Sequence, residues 1–405
     1  MTVTVLRRAT TIEGDVTDVR LVDGRVDAVG ADLAASTGAA GPEPVETVEV
    51  VDLEGWLLVP AAAEPHAHLD KAFLAERVPN LTGDLHGAIE AMEAYRDRLS
   101  VADIVERAER AARLLARHGY TAVRTHVDTT VDHGLRSVEA LVEVRRRVAD
   151  VIDVEIVALS GWPVSGHAGA DQRALTRDAI ELGADLVGGC PHLEFDATTR
   201  AATEVLVELA ADLGVGLDLH TDETLDPGVD GLSELAEIVA TGFEHRVTAS
   251  HCVSLGQRTE YDQRRIAEAV AGAGIGVVAL PHTNLFLQGR GHAPMPRGLT
   301  AVRALTEAGV VVAAGADNLQ DPFNPVGRGC AFETAGLMVM TAHLLPDDAW
   351  RAVADRSRAV LGLEPAGVRP GAVADLLAVP AATVREAIAT GPAERMVWRR
   401  GIRTR

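Results

Sequence analysis

Lysine is almost absent from this chain: Lys71 stands alone against 37 arginines among its 38 basic residues. With abundant alanine, valine and glycine, that excess of arginine reads as coding bias rather than as a binding feature. Cysteine is scarce too. Cys190, Cys252 and Cys330 are odd in number and far apart, which argues against a disulfide framework and fits a reducing cytoplasm. No apolar run approaches the roughly 18–20 residues that span a membrane, and the opening MTVTVLRRATTIEGD has no apolar stretch of a signal peptide. A soluble cytoplasmic protein without membrane partners is expected. Positive charge is in deficit, 38 basic against 59 acidic residues for a net charge of −21. That balance argues against nucleic acid, whose binding rests on basic patches, and the acidic surface reads as a solubility feature. A G-x-G-x-x-G phosphate loop is also missing, which weighs against a doubly wound dinucleotide fold.

What is present is a 405-residue chain, 47% hydrophobic and 24% charged, long enough for one large barrel with an appendage. Residues 1–58 alternate apolar and polar positions, and residues 365–405 do so again, the pattern of strands and turns. Between them, over 59–364, short apolar runs alternate with amphipathic helical segments. The eight runs are Leu57–Ala63, Thr121–His126, Val154–Leu159, Asp185–Gly189, Val215–Leu219, Arg246–Ser250, Gly274–Leu280 and Val310–Gly315. Most of the helical segments end in glycine, at Gly119, Gly183, Gly214, Gly242, Gly274 and Gly309, where positive φ suits a helix end. Eight such units predict an α/β fold, a (β/α)8 TIM barrel, with a small β-sandwich domain built from the two terminal segments. Ala34–Gly41 reads as a flexible loop tip.

The chemistry-bearing residues fall at the strand ends. The first run leads into Glu64, His66, His68 and Asp70, and the second into His126 and Asp128. His192 and Glu194 follow the fourth, and His220, Asp222 and Glu223 the fifth. His251 ends the sixth, His282 and Asn284 follow the seventh, and Asp317 and Asn318 the eighth. In a parallel barrel all of these open on one face. His66 and His68, two apart on a strand, point the same way and can reach one cation. Imidazoles with one carboxylate suit a single divalent ion, zinc or iron. Glu223, three residues after His220, is placed for proton transfer without ligating.

The blocks PHAHLDKAF, VRTHVD, PHLEF, HTDE, VTASH, NLFLQGR and GADNLQDPFNPVG, in order over residues 55–330, resemble bacterial cytosine deaminases and their relatives in the amidohydrolase superfamily. The resemblance implies a mononuclear site in which His66, His68, His220 and Asp317 bind the metal. It also implies that His251 polarises the attacking water, that Asp317 takes its proton, and that Glu223 protonates the substrate ring. Binuclear relatives bridge two metals with a lysine from the fourth strand. This chain has none there, which disfavours a second ion while leaving a Glu194 bridge open. Relatives of this kind form homo-oligomers.

Three departures touch substrate choice. The third strand of cytosine deaminases ends in a glutamine, and Gly161 falls there. The usual pair of aspartates is Asp317-Asn318, so a neutral amide replaces an acceptor-only group. Phe323 stands where tryptophan is common. These changes weigh against cytosine itself and toward relatives acting on triazines and other N-heterocycles. Asn318, Gln288, Trp162 and Lys71 are candidate substrate contacts. For Gln288 a loop hydrogen bond is the alternative, for Trp162 a packing role, for Lys71 an ion pair with a carboxylate. The expected activity is hydrolytic deamination of a small heterocycle by metal-activated water, releasing ammonia or a small amine. Hydrolysis of a cyclic amide such as a hydantoin or lactam is the alternative, and a non-catalytic metal-binding barrel comes third.

Overall fold

The computed structural model describes residues 2–33, 47–195 and 197–404. Ala34–Gly41 lies outside the described residues. Among the described residues, sixteen strands form two sheets. The first contains β1 (Thr2–Thr10), β2 (Val16–Val22), β3 (Arg25–Gly30), β4 (Thr47–Asp52) and β5 (Leu57–Pro60) from the beginning of the chain. From its end come β14 (Leu376–Val379), β15 (Met396–Arg399) and β16 (Ile402–Arg403). The second sheet runs in chain order through β6 (Ala62–Ala67), β7 (Tyr120–Thr129), β8 (Asp153–Ser160), β9 (Leu186–Gly189), β10 (Gly216–Thr221), β11 (Val247–His251), β12 (Gly276–Ala279) and β13 (Val312–Ala314). All of its neighbours are parallel. A bridge between Ala67 and Asp317 joins its two ends. This is the expected barrel.

One expected strand is two. The apolar run Leu57–Ala63 divides at Ala61. Leu57–Pro60 pairs antiparallel with β14 in the terminal sheet, while Ala62 donates its N–H to Gly119 O and enters the barrel. Residues on both sides of the break are buried, so the sequence reads as one run although the chain changes sheets.

The terminal sheet packs its apolar face, Leu6, Val19, Leu21, Leu53, Leu58, Leu376 and Trp398, into a core of its own. The larger core lies between the barrel and its helices. The six glycines expected at helix ends all adopt positive φ. Gly214, at φ 67°, closes the helix Thr199–Leu213 and donates its N–H to Ala210 O and Ala211 O. Among the described residues, no helix is long and apolar enough to cross a membrane.

Candidate active site

Five side chains meet at the C-terminal end of the barrel. His66 and His68 come from β6 and its exit, His220 from β10, His251 from the end of β11, and Asp317 from the turn after β13. All five are at least nine-tenths buried. The Nε2 atoms of His68 and His220 stand 3.2 Å apart. Asp317 Oδ1 lies 3.4 Å from His68 Nε2 and 3.7 Å from His66 Nε2, and Asp317 Oδ2 lies 4.0 Å from His251 Nε2. His66 Nε2, His251 Nε2 and both Asp317 oxygens are buried without a hydrogen-bond partner.

The backbone is bent to make this convergence. His251 has φ 70° and Asp317 has φ 62°, each an unfavourable conformation for a residue with a Cβ. Alternation along β11 would turn His251 away from Ser250. The left-handed bend instead turns His251 into the mouth, while Ser250 faces Asp218 in the barrel interior. The bend at Asp317 is held by its N–H, which donates to His66 O at 3.1 Å. Glu64 braces the same corner, its carboxylate accepting from the N–H groups of Ala316 and His66.

Below the cluster runs a polar chain through the barrel interior. His66 Nδ1–H donates to Ser250 Oγ at 2.9 Å, and Ser250 donates to Asp218 Oδ1 at 3.0 Å. Asp218 Oδ2 accepts from Arg124 Nη1 at 2.8 Å, and Arg124 Nε donates to Glu155 at 2.7 Å. His126, whose ring stacks on His66 with centroids 3.9 Å apart, lies 3.6 Å from Asp218. The lower histidine thus packs beneath the cluster rather than lining the cavity.

Charges at the site are set mainly by burial. Burial, and after it the neighbouring imidazoles, pushes His66 and His220 well below the usual histidine range. Burial does the same to His68, with Lys71 adding to it. His251 is pushed down to about 3, again by burial first. All four rings are neutral at pH 7, the form that ligates. Burial raises Asp317 to about 8, so its ionised form calls for a positive charge close by. Glu223 is raised well above the carboxylate range by burial and by Asp317. Its Oε1 is buried without a hydrogen-bond partner, 3.5 Å from His251 Nδ1.

A cavity of about 570 Å³ opens above. His68, His220, Glu223, His251, Asp317 and Asn318 form its polar floor, with Leu85, Ile89 and Met92 from the helix Leu85–Tyr95 on one wall. Trp162 and Phe323 add aromatic faces, and Gly161 lies at the wall as well.

Several expectations resolve differently. Lys71 does line the cavity, but its ammonium is already paired with Asp128 at 2.7 Å and Asp70 at 3.5 Å. Asn318 is fixed from both ends, donating to Asp321 and accepting from Thr283. Gln288 does not line the cavity; its amide is buried without a partner elsewhere. His282 bonds to Thr334, and His192 to the carbonyl of His220. Glu194 accepts from the N–H groups of Val164 and Ser165 and so holds the loop after β8. Cys252 is fully buried, with φ 51°.

The donor set fits a divalent metal ion. Nitrogen ligands about 2.0–2.1 Å from a tetrahedral ion stand about 3.3 Å from each other. The separations among His66, His68, His220 and Asp317 that are given above bracket that value. Two neutral Nε2 atoms facing each other at 3.2 Å also need a proton or a cation between them.

A parallel barrel with a buried His/Asp cluster at its C-terminal mouth defines a protein of the TIM-barrel type with a candidate metal site. The sequence model of the amidohydrolase family matches residues 81–403. The chain belongs to the amidohydrolase family and is a hydrolase acting on non-peptide carbon–nitrogen bonds. It is 34% identical over 371 residues to a pterin deaminase of Rhizobium rhizogenes, covering 89% of this chain and 83% of that protein. It is 26% identical to an N-isopropylammelide isopropyl amidohydrolase of Pseudomonas sp. strain ADP, covering 81% and 80%. A crystal structure of 5-methylcytosine deaminase from Klebsiella pneumoniae superposes with a TM-score of 0.87 at 30% identity, covering 99% and 97%.

Proposed function

We propose that the protein is a metal-dependent hydrolytic deaminase of a small amino-substituted N-heterocycle, with pterins and related aminopyrimidines as the leading substrates. The observation that carries this reading is Glu223. Its carboxyl stands 3.5 Å from His251 Nδ1, on the floor of a cavity that also exposes His68, His220 and Asp317, and burial pushes its pKa above the carboxylate range. The likeness to the pterin deaminase, 34% identical over 371 residues, supports the substrate class.

His66, His68, His220 and Asp317 would hold one zinc or iron ion. When bound, the ion supplies Lewis-acid activation that lets water ionise near neutral pH. Asp317, with both oxygens free of protein donors, accepts the proton that water loses. His251 donates through Nδ1 to Asn284 Oδ1 at 2.9 Å, so its Nε2 is an acceptor and orients the water. The water oxygen adds to the amino-bearing ring carbon while Glu223 delivers its proton to the adjacent ring nitrogen. The tetrahedral carbon then expels ammonia as the proton held by Asp317 passes to the leaving nitrogen, and the carbonyl forms as the hydroxyl proton returns to Glu223. Trp162 and Phe323 offer faces for a planar ring.

The test is ammonia release by purified, metal-loaded protein from pterin, isocytosine, cytosine, 5-methylcytosine, creatinine and aminotriazines. Turnover of a pterin or another non-cytosine member is the expected result. A ring-opened product without ammonia would move the reading to cyclic amide hydrolysis. Cytosine as the best substrate would mean that Gly161 and Asn318 do not alter specificity.

A further inference from the structure

Gln172 lies on the helix Ala170–Leu182 that follows β8, with only 4% of its surface exposed, and it lines the cavity. Its amide orientation follows from its neighbours. Nε2 donates to Thr129 O at 2.6 Å and sits 3.5 Å from Thr176 Oγ1. The reverse orientation would set two oxygens at 2.6 Å, which is repulsive. Thr129 O also accepts from Gly161 N, so that carbonyl is saturated and the amide is pinned. Thr176 is committed as well, donating to Gln172 O and accepting from Ser160. Gln172 Oε1 is left as an acceptor with no protein donor among the described residues.

Gly161 keeps that oxygen open. A Cβ at Gly161 would stand 3.0 Å from Gln172 Oε1 and 2.9 Å from Thr130 Cγ2. Its φ is not in the left-handed region, so the reason for glycine is space rather than backbone freedom. With no side chain there, the helix residue reaches the cavity through the gap at the strand end.

We infer that Gln172 is a specificity-determining residue whose Oε1 accepts a hydrogen bond from an N–H of the substrate, so that the site selects heterocycles carrying a ring or exocyclic N–H donor on the edge facing β8. The inference rests on the heterocycle reading above and names what the substrate must present. Because Nε2 is spent on Thr129, the glutamine reads a donor only. A ring whose matching nitrogen is methylated leaves Oε1 unmet and adds bulk where Gly161 gives just enough room.

The experiment compares the heterocycle turned over best with its singly N-methylated isomers, in the wild type, Gln172→Met and Gly161→Ala. Methionine keeps the length and helix propensity of glutamine but removes the acceptor. Leaving a buried partner unmet costs about 1–3 kcal/mol, so one methyl isomer should lose about ten- to hundredfold in kcat/KM with the wild type. In Gln172→Met that preference should collapse toward unity, with metal content and the other isomers' ranking unchanged. Gly161→Ala, which keeps Gln172 but crowds Oε1, should narrow it as well. A wild-type preference fully retained in both variants would overturn the inference while leaving deamination intact. Equal loss on every isomer would make Gln172 merely structural. If no heterocycle is turned over or bound by the wild type in calorimetry, the functional reading falls and the inference with it.

Discussion

Ser250 lies between His66 and the barrel interior, its Oγ 2.9 Å from His66 Nδ1. Because Ser250 spends its one proton on Asp218, its oxygen can only accept from His66. Nδ1 must therefore carry the ring proton, and Nε2 presents its lone pair toward Asp317. Replacing Ser250 with alanine frees the ring to rotate and change tautomer. Metal affinity should fall about tenfold to hundredfold, the usual cost of removing such a partner. Competition against a chelator of known affinity measures it, and an unchanged affinity would remove Ser250 from the account.

Glu223 separates metal binding from chemistry. Its carboxyl does not belong to the cluster of ligand atoms, yet it is buried beside His251. Glu223→Gln preserves shape and removes the transferable proton. Bound metal, measured by elemental analysis, should stay at the wild-type level. Ammonia release should fall by about 10²–10⁴, the range for a lost general acid. Loss of metal together with activity would point to a ligand instead.

The strand-end histidines were legible because barrel topology sends every strand C-terminus to one face, and the spacing of apolar runs gives away the strands. The chain beneath them was not, although Arg124 and Asp218 lie two residues before His126 and His220 on the same faces. A charged residue inside an apolar run was the available signal, and it was masked by the histidines that follow. The bends at His251 and Asp317 were out of reach, since nothing local marks a non-glycine residue for positive φ; the surrounding fold imposes it. The direction in which Gln288 faces is illegible for a related reason. A loop glutamine beyond a helix carries no periodicity to say which way it faces.

Asp128 should show its ion pair in acid. Burial works to raise its carboxyl, but Lys71 and Arg96 outweigh burial and hold it below the ordinary value. A depressed folded pKa contributes stability that is fully present above the unfolded value, about 3.9, and is lost as pH falls through the folded one. Asp128→Asn leaves Lys71 buried with a weaker partner and should cost about 3 kcal/mol near pH 7. Unfolding followed from pH 7 to pH 3 should show the gap to wild type shrinking below about pH 4. A gap that stays constant through that range would mean that the pair contributes no net stability.

Gly315 is required for close approach rather than for its backbone angle. A Cβ there would meet Glu64 Oε1 at 2.5 Å and Leu280 Cδ2 at 3.0 Å. Both neighbours are buried, and Glu64 is tied to Ala316 and His66, so neither can retreat freely. Gly315→Ala should destabilise by about 1–3 kcal/mol, as overpacking does. Denaturant titration reads it. A neutral effect would show that Glu64 has room to move.

Arg124 and Asp218 set stability against function. Both side chains are essentially without solvent contact and joined at 2.8 Å. Burial works to raise the Asp218 carboxyl, and His126 and Arg124 together hold it below the ordinary value. Arg124→Met removes the arginine and leaves a buried carboxylate, which should cost about 3–5 kcal/mol in urea unfolding. Adding Asp218→Leu removes the orphaned charge, so the double variant should recover most of that loss, because apolar replacement of a buried pair is often neutral. Metal binding should not recover with it. Without Asp218 the Ser250 proton has no fixed acceptor, the hydroxyl can turn toward His66 Nδ1, and the ring is no longer held to one tautomer. The double variant should therefore fold nearly as well as wild type yet bind metal as weakly as Ser250→Ala. Recovery of both properties would show that the ionic chain serves packing alone.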